Sequence, residues 1–155
     1  MIRISENFIK DGIPNELILN CLKIHKKDLR KLKRNKKYYL GEHEILKTIK
    51  RKDDPNNKIV NNYASYITDT VCGYFMGSPI SISSEKNIDN LLDTLNKLDI
   101  NTHNSELARD LSIYGIAYEL LYINEEGNLK IAVLPPEDTF VVYNDKIGDN
   151  SLFAI

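Results

Sequence analysis

Few residues in this sequence are able to do chemistry, and their spacing brings almost none of them together. The three histidines are His25, His43 and His103. His43 stands between Glu42 and Glu44, but adjacent helical positions point to different sides and cannot converge on one metal ion. A zinc site of the HExxH type needs a second histidine where Lys47 stands. His25 falls on the apolar side of a helical pattern, where a satisfied, half-buried imidazole is expected. His103 lies in a polar stretch ahead of a helix, where capping or solvation accounts for it. Cys21 and Cys72 lack CxxC spacing and are expected as free, buried thiols rather than a disulfide or zinc ligands.

The acids are no more suggestive. Asp53-Asp54 raises the idea of a metal-dependent nuclease, yet no partner acid and lysine follow, so helix capping is the better reading. Glu106 and Asp110, one turn apart with Arg109 beside them, read as surface pairing. Glu119, alone in an apolar run, reads as a solvent-facing acid or the partner of a lysine. Phosphate-binding glycine loops of the GxxxxGK[ST] or GxGxxG type do not occur, nor does a GxSxG elbow. No combination supplies nucleophile, base and stabiliser together. We therefore expect no catalytic residue, no metal site, no cofactor and no enzymatic activity.

What does stand out is the distribution of charge. The net charge of −1 hides a +10 segment at residues 23–52 and a −10 segment at residues 53–155. The cations Lys26, Lys27, Arg30, Lys31, Lys33, Arg34, Lys36 and Lys37 form a candidate contact surface. Three readings compete for it: a solvated helix face, phosphate contact with nucleic acid, or contact with an acidic protein surface. Only Tyr38 and Tyr39 supply aromatics in the basic segment, which argues against base stacking. A stand-alone nucleic-acid-binding module using these helices is the alternative function.

The elements that position these residues follow from periodicity. A chain of 155 residues, 42% hydrophobic and 28% charged, is expected to form one soluble domain. The opening MIRISENFIKDG has no apolar run behind a basic cap, so no signal peptide is expected. Pro14 and Glu16 open a first helix, whose apolar stripe is Ile18, Leu22, His25, Leu29 and Leu32. A short second helix is expected from Gly41 to Lys50. After a break at residues 52–57, Ile59, Val60, Tyr63, Ile67, Val71, Tyr74 and Phe75 mark a strong helix ending at Gly77-Ser78-Pro79. Pro79–Ser83 reads as a short strand, Asn87–Leu98 as a helix, and another helix is expected to be capped by Asn104. Gly73 interrupts an apolar helix, which predicts close packing on it and destabilisation by Gly73→Leu. From residue 116 onward the period becomes that of strands: 116–123, 129–134, 139–143 and 151–155, joined by turns. The class is α+β, with the helical first two-thirds packed on a C-terminal antiparallel β-meander. Residues 1–52 are basic and helical, 53–115 helical with a short strand, 116–155 stranded. A chain that stops inside an apolar strand is expected to be part of a longer protein, its sheet incomplete at the C-terminus.

Three ordered blocks carry a resemblance: Tyr38-Tyr39-Leu40-Gly41-Glu42-His43, then Pro55-Asn56-Asn57 through Asn61-Asn62-Tyr63-Ala64, then Gly73 through Gly77-Ser78-Pro79. Further blocks follow at residues 104–110, at Tyr114-Gly115 through Tyr122, and at residues 134–143. Together they resemble the siphophage-type portal proteins of tailed bacteriophages, most strongly from Tyr38 to Ile155. The resemblance implies the amino-terminal wing part of a longer, non-enzymatic chain, a head-to-tail connector at the portal vertex of the virion. It implies a ring, usually of twelve copies, assembled in the host cytoplasm without a membrane, through which double-stranded DNA passes non-specifically. Capsid and scaffold proteins would be partners, and terminase and head-completion proteins would bind regions absent here. Gly41, Pro55, Asn56, Asn57, Asn61, Asn62, Gly73, Gly77, Pro79 and Gly115 are the structural residues that it singles out.

Overall fold

The computed structural model describes residues 2–9, 12–49, 55–146, 148 and 151–155. The chain divides into two compact units, Met1–Arg34 with Pro135–Ile155, and Asn35–Leu134.

The first unit is built on α1 (Asn15–Tyr39), which contributes its residues up to Arg34. Pro14 accepts the first turn's bonds from Leu17 and Ile18, and Glu16 sits favourably in that turn. The expected stripe faces inward: Leu32 is buried and Ile18, Leu22, His25 and Leu29 are half-buried, with Cys21 buried beside them. Beside the helix lies a three-stranded sheet of β1 (Ile2–Ile4), β4 (Val141–Asn144) and β5 (Ser151–Ala154), with β4 in the middle. β1 runs parallel to β4 with Ile2 opposite Val142, while β5 runs antiparallel to it with a bulge at Val142/Tyr143. The pair Phe140 and Ile155 extends this ladder by two reciprocal backbone bonds. Ile2, Cys21, Phe140 and Val142 form the core, with Ile4, Leu17, Leu22 and Phe153 packed around them. His25 stacks on Phe140 at 4.8 Å and donates from Nε2 to the Glu137 carbonyl at 3.0 Å, the satisfied half-buried imidazole expected.

The second unit holds α2 (Tyr63–Met76), α3 (Asp89–Lys97), α4 (Ile100–Tyr114) and the hairpin β2 (Tyr118–Ile123) with β3 (Leu129–Leu134). α4 is the hub, touching α2, α3 and β3. It ends at Gly115, which takes φ +79°, a left-handed value that glycine adopts without strain. The hairpin pairs Tyr118 with Leu134 through to Ile123 with Leu129. Its turn is tied by Asn124 Oδ1, which accepts from the amides of Glu126 and Asn128.

The α+β class follows the expectation, and so does the order of helices before strands apart from β1 at the start of the chain; the four C-terminal strands divide between two sheets rather than forming one meander. Four local expectations are corrected. Of the helix expected over Gly41–Lys50, the described residues up to Ile49 form only a 3-10 turn at Glu44–Lys47, because His43 at its N-cap makes no side-chain bond and so short a run cannot repay nucleation; Lys50 lies outside the described residues. Pro79–Ser83 is not a strand: no neighbouring strand offers it a ladder, and Ile80 and Ile82 stand exposed. α4 starts at Ile100 after a left-handed Asp99 (φ 48°), so Asn104 lies inside the helix rather than capping it. His103 accordingly sits in the helix, buried, where tertiary contact overrides weak helix propensity.

Candidate functional site

The best-constructed polar assembly lies in the second unit, where the end of α1 meets the start of α2. α1 stops in a Schellman motif: the Glu42 amide bonds the Lys37 carbonyl at 2.8 Å and the Gly41 amide bonds the Tyr38 carbonyl at 3.1 Å. Gly41 takes φ +78°, and a Cβ there would come within 3.3 Å of Asn62 Nδ2. Asn62 has two jobs. Its Oδ1 accepts from the Ser65 amide at 3.1 Å and so caps α2, while its Nδ2 donates to the Tyr39 carbonyl at 2.8 Å. The amide side chain suits this double role, accepting at its oxygen and donating from its nitrogen. The Tyr39 hydroxyl donates to Asp69 Oδ1 at 3.1 Å, and Ser65 Oγ donates to Asp69 Oδ2 at 3.0 Å. Burial, and then the hydrogen bond to Asp69, push the Tyr39 hydroxyl's pKa above its usual value. The result is a hydrogen-bonded joint between the end of α1 and the start of α2.

The cations of α1 gather on one side of the helix. Lys23, Lys26, Lys27, Arg30, Lys31, Lys33, Arg34 and Lys37 are all exposed, opposite the apolar stripe, over about 21 Å of helix axis. None of these eight forms an ion pair among the described residues. Lys36 is set apart from them: it is half-buried and its charge acts on Asp110 of α4. Lys50, Arg51, Lys52, Asp53 and Asp54 lie outside the described residues.

α2 meets α4 through a mixed face: Thr68 is only 6% exposed with its Oγ1 3.5 Å from Ser112 Oγ, and Val71, Cys72, Phe75 and Met76 line grooves shared with α4. Tyr63, Tyr66, Ile67, Val71, Tyr74 and Phe75 are each more than half exposed, with Tyr74 at 89%. Two adjoining apolar grooves run along one flank, and on the other Asp69, Cys72, Gly73, Met76, Ser105 and Arg109 line a third. Of the two apolar grooves one, of about 380 Å³, is lined by Phe75, Met76, Ile80, Leu107, Ala117 and Glu119 among others. The other, of about 260 Å³, is lined by Val71, Cys72, Phe75, Ala108, Leu111 and Ser112. Burial raises the pKa of the half-buried Cys72 thiol, and burial likewise raises that of Cys21, so neither is an activated nucleophile.

Other expected residues find specific places. Glu119 is the partner of a histidine, not of a lysine: its Oε2 lies 2.9 Å from His103 Nε2, joining β2 to α4. Asp110 is partly buried, and that burial, followed by the charge of Glu106, raises its pKa against the opposing Arg109 and Lys36. Gly73 has nothing within 4 Å of where a Cβ would stand, which overturns the close packing expected there. The crowded glycine is Gly77, where a Cβ would run into the Gly73 carbonyl oxygen. Pro55, Asn56, Asn57, Asn61 and Pro79 are exposed. The amide of Lys58 bonds the carbonyl of Asn56, and that of Tyr63 bonds the carbonyl of Asn61. Among the described residues no three of His, Cys, Asp and Glu gather into a metal-binding group, and no helix is long and apolar enough to cross a membrane.

The joint thus ties together the Tyr38–His43 and Asn61–Ala64 blocks, two of the segments that carry the resemblance. Comparison with known families decides its meaning. Residues 18–155 match the model of the phage portal proteins described as SPP1 Gp6-like. The chain belongs to that portal family. A curated relative is the portal protein of Bacillus phage SPP1, 28% identical over 135 residues, which covers 77% of this chain and 26% of the relative. The chain therefore spans about a quarter of that portal protein's length. The portal match begins at Ile18, inside α1, so the cationic face lies within it. Sequence reading missed Asp69 and the His103–Glu119 bond. One signal pointed to Asp69: it is the sole charged residue between Lys58 and Glu85.

Proposed function

We propose that this chain is the amino-terminal wing part of a portal subunit, and that the full-length protein forms the ring through which double-stranded DNA is packaged and ejected. The observation that carries this reading is the family match over residues 18–155. The joint at Asn62 supports it, because both helices it connects belong to matched blocks. The role is structural: residues such as Gly41, Asn62, Gly77 and Gly115 shape turns and helix ends rather than reactive groups. Capsid and scaffold proteins are the expected partners of the assembled ring in the virion, and no cofactor is required.

Rings use heterologous contacts, in which one patch meets a different patch on the next copy. A cationic helix face on a chain whose remaining residues are strongly acidic suits such a contact, and it equally suits the phosphates of passing DNA. Electron microscopy of the full-length gene product tests the main reading. Rings with an open channel, most often twelvefold, are the expected outcome; a protein that stays monomeric at all concentrations overturns it. Deleting the gene from a producing phage should leave heads that contain no DNA.

A further inference from the structure

Eight of the chain's 21 cations stand on one face of α1. At 3.6 residues per turn, Lys23, Lys27, Arg30, Arg34 and Lys37 form a central row, and Lys26, Lys31 and Lys33 flank it. From Lys23 to Lys37, every residue within this arc of about 160° is Lys or Arg. Asp28, the one acid of α1 beyond its first turn, lies outside the arc. Like charges three and four residues apart repel along a helix, so the row weakens α1 as an isolated element. A face that is merely wetted intersperses charges of both signs. None of the eight is neutralised by an ion pair among the described residues. The pattern calls for an anion from outside these residues.

We propose that this face of α1 binds the phosphate backbone of duplex DNA, without regard to base sequence. The inference deepens the portal reading above and rests on it for bringing a duplex within reach. Charge density selects phosphates over an acidic protein surface. The eight cations supply one charge per about 2.6 Å of helix axis, and duplex DNA carries one per about 1.7 Å. A second copy of this chain offers nothing comparable. Among the described residues no helix or strand carries more than two acids, as with Asp89 and Asp93 on α3 or Glu106 and Asp110 on α4. Side-chain type selects the duplex over a single strand, because no aromatic residue lies within the arc to stack an unpaired base. Contacts from Lys and Arg to phosphate fix a duplex in place and carry no sequence information. The opposite side of α1 is anchored, with Cys21 and Leu32 buried, so the backbone that carries the cations is held in place.

Fluorescence anisotropy of labelled duplexes of about 20 base pairs, titrated with dilute, monomeric full-length protein from about 0.05 to 0.2 M salt, tests this. Two duplexes of unrelated sequence should bind within about twofold of each other, and both should weaken steeply with salt. Two triple variants remove the same net charge: Lys27→Gln, Arg30→Gln and Arg34→Gln on the face, and Lys86→Gln, Lys97→Gln and Lys130→Gln away from it, all six exposed. Gln has a helix propensity close to that of Lys and Arg, so the face variant keeps α1. Each lost phosphate contact takes about 0.9 from the slope of log affinity against log salt, so the face variant should lose about 2.7 and the other almost nothing. Equal losses would mean that binding follows net charge, and no loss in the face variant would mean that α1 does not touch the duplex; either overturns the inference. Poly-glutamate competing as well as unlabelled duplex at equal charge concentration assigns the face to an acidic protein surface and also overturns it. Electron microscopy at high concentration judges the portal reading separately: absence of rings defeats that reading, while the anisotropy still decides the role of the α1 face.

Discussion

Single side chains in this protein matter mainly by whom they leave unpaired. His103 is buried and Glu119 is 53% exposed, yet one bond joins them. Removing the exposed partner should therefore be the costlier change. Glu119→Ala strands a buried imidazole donor, at about 1–3 kcal/mol, whereas His103→Phe keeps the volume and lets Glu119 return to water, at about 1 kcal/mol. Urea unfolding of the two variants of the 155-residue chain ranks them; the reverse order would show that packing, not the hydrogen bond, holds β2 on α4. The glycines make a second pair. Gly73 is open and helical, so Gly73→Ala should stabilise by up to about 1 kcal/mol. Gly77→Ala should destabilise, because its Cβ meets the Gly73 carbonyl. Neither histidine role nor glycine role was legible beforehand, since His103 and Gly73 have the same sequence signature whether buried or open.

At the scale of elements, the first unit depends on β4 and the residues that lead into it. Phe140 is buried against Ile2, Cys21 and Val142 and carries the stacked His25. Phe140→Ala should cost about 3–5 kcal/mol, seen as a lower unfolding midpoint. α4 makes a prediction about pH. The Asp110 carboxyl has its pKa raised on folding, so the folded state holds that proton more tightly than the unfolded chain. Its contribution to stability is then fully present below the unfolded value of 3.8 and is lost as pH rises through the folded pKa above it. Asp110→Asn should melt higher than the parent at pH 7, and the two should converge as pH falls through that window. A constant difference across pH would rule out titration as the cause. The helices and the β2–β3 hairpin were legible from period and turn residues. The β1–β4 pairing was not, because three residues at the start of the chain carry too little pattern to name a partner about 140 positions away.

At the scale of the whole molecule, the cationic face of α1 is the feature that salt should act on. If the α1 face mediates assembly of the full-length protein, association should weaken as salt rises from about 0.05 to 0.5 M, where the screening length falls several-fold. Arg30→Glu with Arg34→Glu should abolish assembly at low salt, as measured by sedimentation. Assembly indifferent to both salt and charge reversal would remove α1 from the contact.

The amino-acid sequence alone determined the α+β class, most helix and strand locations, the polarity of charge along the chain, and the portal resemblance through its ordered blocks. These are local or compositional properties, legible because each depends on residues near one another in the chain. Only the tertiary structure decided that Asn62 clamps Tyr39, that Lys36 leaves the cationic face for Asp110, and that Thr68 is the residue α2 buries while Tyr74 and Phe75 stay exposed. A periodic stripe states that one side of a helix is apolar. It does not state which side the neighbouring helix takes, because that choice is made by contacts distant in sequence.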